Sequence, residues 1–152
     1  VKANQATLVM FIHPQCPCSR ASIGELARLM AHSSKQFSAY VLFLAPKDYP
    51  TTWAKSELWR SAAAIPGVQT VLDPDGLEAS RFHATTSGHI AVYNSIGNLV
   101  FSGGLTPSRG HFGDSVGLDS ALASVTTPAA KPCSSAVFGC PLFGPSSGSK
   151  SQ

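Results

Sequence analysis

Two unbroken apolar runs, "TLVMFI" (Thr7–Ile12) and "AYVLFLA" (Ala39–Ala45), constrain the fold most. Neither approaches the ~20 apolar residues a membrane helix needs. Neither shows the polar alternation of a strand with one face in water. They fit strands buried on both faces, as at the centre of a parallel sheet. Between them, from Ser19, the pattern turns helical. Ile23, Leu26, Ala27 and Met30 fall on one face, with Glu25 and Arg28 elsewhere. The first 45 residues therefore predict β-α-β.

The rest of the chain extends this order. Thr51–Ala64 reads as a second helix carrying Trp53, Leu58 and Trp59, and "VQTVLD" (Val68–Asp73) as a third strand. "PDG" (Pro74–Gly76) is a turn signal. Leu77–Phe82 suits one or two helical turns, and His89–Asn94 and Asn98–Gly104 are strands of a hairpin closed by "SIG". Asp114–Val125 is a last helix. Right-handed crossovers make the first three strands parallel, and the hairpin adds antiparallel strands at one side. The expected class is α/β. Residues 1–126 form one domain, and 127–152 a Pro/Ser/Gly-rich extension, partly disordered, with a sticky patch at Ala136–Phe143.

Charge excludes one class of partner. Charged residues make up 12% of the chain, and its eleven Lys and Arg never form a run of four. A nucleic-acid groove needs clustered cations. Ser22, Ser87 and Ser108 sit in no G-x-S-x-G elbow and suggest no triad, and no P-loop or peroxidatic T-x-x-C pattern is present. The chain starts at Val1 and reads as processed, with a signal or membrane anchor expected outside it.

The chemistry concentrates at "HPQCPC" (His13–Cys18), between the first strand and the first helix. Pro14 and Pro17 stop either element from running through. Cys16 falls at the helix N-terminus, where unpaired N–H groups and the macrodipole favour a thiolate. Arg20 is placed to add positive charge. A thiolate is both nucleophile and metal ligand. A disulfide across Cys16-Pro17-Cys18 would be strained, and strained disulfides are the reducible ones. Cys133 and Cys140 complete an even set of four, whose connectivity sequence leaves open. A Cys133–Cys140 bridge tying the tail is expected. The alternative folds Cys140 back to the first two thiols as a third redox or metal sulfur.

The layout, with "LVMFIHPQCPCSRASIGELARL", resembles the strand–CxxC–helix unit of the thioredoxin-like superfamily. "VLDPDGLEASRFHATTSGHIAVYNSIGNLVFSGG" resembles the second half of its TlpA/ResA-type and AhpC-like branches, where a D-x-x-G turn precedes a strand, a hairpin glycine and a closing strand. The resemblance spans Thr7 to Val125. It implies a central mixed sheet flanked by helices. It also implies a thiol–disulfide oxidoreductase in which Cys16 attacks and Cys18 resolves, with C-P-C in place of C-x-x-C. The position of the family's cis-proline, counted back from Gly97, falls at Gly88, which sets His89 beside the thiols. The loop Gly103–Asp114, with Arg109 and His111, is implied to rim the site. His32 and His83 read as structural.

The implied partners are protein thiols or disulfides, including those of a metalloprotein, in a periplasmic or other extracytoplasmic compartment. No organic cofactor is required. The alternative is a Cu(I) metallochaperone similar to the Sco proteins, which space their thiols as C-x-x-x-C, here holding copper through Cys16, Cys18 and His89.

Overall fold

In this computed structural model, residues 5–33, 35–106, 133–134 and 136–143 are described. The first apolar run becomes β1 (Ala6–Ile12), buried along its length except at Thr7. Its burial follows from its place. β1 pairs in parallel with β2 (Phe37–Ala45) on one side and antiparallel with β4 (His89–Tyr93) on the other. β3 (Val68–Pro74) extends the parallel side, and β5 (Leu99–Gly103) the antiparallel side. A two-residue strand, β6 (Cys133–Ser134), pairs in parallel with β5, giving the order β3-β2-β1-β4-β5-β6.

α1 (Ser19–Ser33) buries Ile23, Leu26, Leu29 and Met30 against one face of the sheet. Glu25, expected on the polar side, is completely buried, and its carboxylate accepts from the Arg28 guanidinium at 2.9 and 3.2 Å. That ion pair lets a carboxylate sit where periodicity alone would place an apolar residue. The helix expected over Thr51–Ala64 is two helices, α2 (Thr51–Ala54) and α3 (Glu57–Ala63). The break falls at Lys55–Ser56, where Ser56 takes the extended backbone of an N-cap (φ −78°, ψ −172°).

The opposite face carries a smaller core of Val9, Phe11, Leu42, Ala79, Ala84 and Leu142. α4 (Leu77–Arg81) lies on it. Buried Asp73 anchors this helix, its two carboxylate oxygens accepting from the Glu78 and Ala79 N–H groups at 2.8 and 3.0 Å. A side chain that satisfies first-turn amides in this way contributes on the order of 1 kcal/mol. Gly76 supplies the left-handed turn ahead of the helix, with φ 69°. No described helix is long and apolar enough to cross a membrane.

The hairpin forms as expected. The Asn94 side-chain oxygen accepts from the N–H groups of Ile96 and Asn98, closing the turn between β4 and β5. The Arg109 and His111 loop and the expected helix Asp114–Val125 lie outside the described residues.

Candidate functional site: three sulfurs at the start of α1

β1 ends at Ile12, and the chain turns sharply through residues 13–18 into α1. The Cys16 N–H donates to the His13 carbonyl. The N–H groups of Ser19, Arg20 and Ala21 then donate to the carbonyls of Cys16, Pro17 and Cys18. Three first-turn amides that the sequence left bare are thus satisfied locally. The α1 dipole still points its positive end at the thiols.

The sulfurs do not pair as expected. Cys16 is joined to Cys140, across 124 residues of sequence, and Cys18 is a free thiol. The tail bridge Cys133–Cys140 is therefore replaced by Cys16–Cys140, and the Cys16–Cys18 bond is not formed. The physical reason is the path of the tail, which brings Cys140 over the helix start while the C-P-C turn keeps its own two sulfurs separate. The Sγ atoms of Cys16, Cys18 and Cys140 all lie within 4.8 Å of one another.

The two cysteines of the turn differ in accessibility. Cys16 is 2% exposed, whereas Cys18 is half-buried. Cys16 nevertheless borders a cleft of ≈ 330 Å³ lined by Pro14, Gln15, Pro17, Arg20 and the start of α3. Arg20 is on the rim, ion-paired to Glu57 at 3.0 Å, both side chains well exposed.

Ser87, buried and weighed in the sequence only as a triad serine, ties three segments together. Its hydroxyl accepts from the His13 N–H at 2.8 Å and lies 2.6 Å from the Ser19 hydroxyl. Its N–H donates to the Cys140 carbonyl at 2.8 Å. Gly88 sits beside it with φ 98°, donates to the Phe11 carbonyl at 2.7 Å, and would bring a Cβ to 2.7 Å from the Ser22 hydroxyl. Both position and conformation therefore favour glycine there.

His89 does not join the sulfurs. Its Nε2 lies 2.9 Å from the Ser102 hydroxyl, and the cluster is completed by Cys140 in its place. The imidazole nearest in the chain is His13. Its Nδ1 accepts from the Gln15 N–H, and its ring meets Trp53 edge-on, centroids 5.5 Å apart. Gln15 in turn donates to the Trp53 carbonyl at 2.9 Å, so α2 forms a wall of the loop. His32 bonds the Arg28 carbonyl in the last turn of α1, a structural role as expected.

Burial lowers the pKa of both His13 and His89 from the usual imidazole value, His13 against an opposing backbone hydrogen bond. The folded state thus takes up protons less readily than the unfolded chain. Stability is fully present above pH ~6.5, the unfolded value, and falls as pH drops from there through the folded values. Urea midpoints measured between pH 7.5 and 5.5 should decrease, and the decrease should be smaller in His89→Gln.

No family model matches the chain, and no curated protein matches it. Solved structures do. An uncharacterized conserved protein from Geobacillus kaustophilus is 22% identical, with 93% of this chain and 78% of that one covered at a TM-score of 0.66. The exposed lipoprotein thioredoxin Etrx1 of Streptococcus pneumoniae strain TIGR4 is 14% identical, with 82% and 86% covered at 0.55. The dsbF protein of MTB, in mixed oxidized and reduced forms, is 13% identical, with 80% of each chain covered at 0.57. These likenesses establish a thioredoxin-like fold.

Proposed function

We propose that the protein is a thiol–disulfide oxidoreductase acting on the cysteines of other proteins, with Cys16 as the exchange thiol, in an extracytoplasmic compartment. One observation carries this: three sulfurs within 4.8 Å at a helix N-terminus, two of them bonded and one free. A structural disulfide has no need of a third thiol in contact range. Two proteins of similar fold, a secreted disulfide oxidoreductase from Mycobacterium tuberculosis and the exposed lipoprotein thioredoxin Etrx1, support the compartment.

The steps balance with thiols alone. In the reduced protein the Cys16 thiolate attacks one sulfur of a partner's disulfide. A Cys16–partner bond forms and the partner's other sulfur leaves as a thiolate. The Cys18 thiolate then attacks Cys16 Sγ, and the partner's second sulfur departs with the bonding pair. Strain in the short Cys16–Cys18 ring favours a last exchange. Cys140 attacks Cys16, the observed bridge forms, and Cys18 is released as the free thiol seen. The partner has gained two electrons and the protein has lost two. Run backwards, the same steps oxidise a partner dithiol.

Cys18→Ser should stall the sequence after the first step. Incubated reduced with a disulfide-bonded protein, this variant should accumulate the Cys16 mixed disulfide severalfold over the parent chain, read on non-reducing gels. Equal accumulation would remove Cys18 from the resolving role.

The sulfur cluster itself favours a second reading, a Cu(I) site. Soft thiolates select Cu(I), and Cys140 here supplies the third ligand expected of His89. Such a site exists only in the reduced protein, because the bridge consumes two of its ligands. Under reductant, Cu(I) titration against a chelator should then show one tight equivalent lost in Cys140→Ser and retained in His89→Ala. Retention in Cys140→Ser would end this reading.

A further inference from the structure

Residues 136–143 do more than deliver a sulfur. Thr86 pairs antiparallel with Pro141. The Ser87 N–H donates to the Cys140 carbonyl, and the Leu142 N–H donates to the Thr85 carbonyl, both at 2.8 Å. The tail therefore lies along residues 85–87 as an added strand, with its backbone read by hydrogen bonds that any extended peptide could make. Side chains supply the selection. Gly139, just before the cysteine, is pressed so close that a Cβ there would collide with the Ser87 carbonyl. Leu142, two residues after the cysteine, is 3% exposed and fills a socket of Val9, Phe11, Leu42, Ala79 and Ala84. Burying a leucine this fully favours the docked tail over a detached one.

The geometry points to the tail as an internal stand-in for the partner: residues 85–87 and the Leu142 socket are the docking site for an extended cysteine-bearing segment of another protein. That segment displaces the tail from Cys16. It is chosen by a residue without a side chain before its cysteine and an apolar residue two positions after. Cys18, which belongs to the α1 turn and not to the tail, stays beside Cys16 throughout the exchange. This inference rests on the exchange reading above.

The test uses the full chain carrying Cys18→Ser, Cys133→Ser and Cys140→Ser, so that Cys16 is its one thiol. The probe is the capped peptide VFGCPLF, its cysteine held as a mixed disulfide with thionitrobenzoate. Cys16 thiolate attacks the peptide sulfur, a Cys16–peptide disulfide forms, and coloured thionitrobenzoate leaves with the bonding pair. Each rate is divided by that of the same peptide with mercaptoethanol, which cancels intrinsic reactivity. Peptides with Gly→Val before the cysteine, or Leu→Ser two after it, should each react about tenfold more slowly. Equal normalised rates would overturn the inference and leave the exchange reading standing. No release from any peptide by folded protein would overturn both. Should the triple variant fail to fold, Cys140→Ser alone, with peptide adducts mapped to Cys16 by mass, must give the same ranking.

Discussion

Cys16→Ser should lower the rate of disulfide exchange by at least about a thousandfold, as expected when a covalent nucleophile is removed. Attack on a disulfide needs a thiolate, and a serine hydroxyl neither ionises near neutral pH nor bonds stably to sulfur. In every step above, Cys16 is the sulfur that changes partner, so no neighbour can take over its place. Cys18 is closer to solvent, but it is Cys16 that is bonded to the docked tail. The measurement is reduction of a disulfide-bonded protein with dithiothreitol as the electron source, after subtracting the uncatalysed rate. Turnover within a few-fold of the parent chain would show that exchange runs through another thiol.

The second large effect is thermodynamic. A bridge between residues 16 and 140 closes a loop of 124 residues. The loop-entropy model assigns such a closure up to about 5 kcal/mol. Cys140→Ser should then lose about 3–5 kcal/mol under non-reducing conditions, a fall in melting temperature on the order of 10 °C. In excess reductant the two proteins should melt close together. Cys133→Ser is the discriminating control. It should leave the non-reducing melt unchanged, whereas the Cys133–Cys140 pairing expected from tail spacing would make both substitutions equally costly.

Much of the framework was legible because its signals are local. The runs at Thr7–Ile12 and Ala39–Ala45 needed no context to read as two-sided strands, and Asn94 to Gly97 announced a hairpin. The position of the C-P-C turn between strand and helix followed from prolines flanking a change of period. Long-range relations were not legible. Nothing in "FGCPLF" states that it will lie along residues 85–87, because its bonds there are made by backbone. Ser87 was passed over as a link for the same reason, since a buried serine linking His13, Ser19 and Cys140 has no motif. A weak signal did exist. Gly76 and Gly104 each lack a side chain where the tail passes, meeting Phe143 and Ala136 respectively. Two scattered glycines become a track only once the tail is in place. His89 was misplaced because sequence offset put it beside the thiols, while its ring turned to Ser102 on the neighbouring strand.

The span of the Cys16–Cys140 link also sets an order of events during synthesis. At 5–20 residues per second, 124 residues separate the two cysteines by roughly 6–25 s of elongation. Cys16 and Cys18 are therefore made well before Cys140, the eventual mate of Cys16. The covalent lock can close only once Cys140 has been made, and a chain cut short before that residue could never receive it.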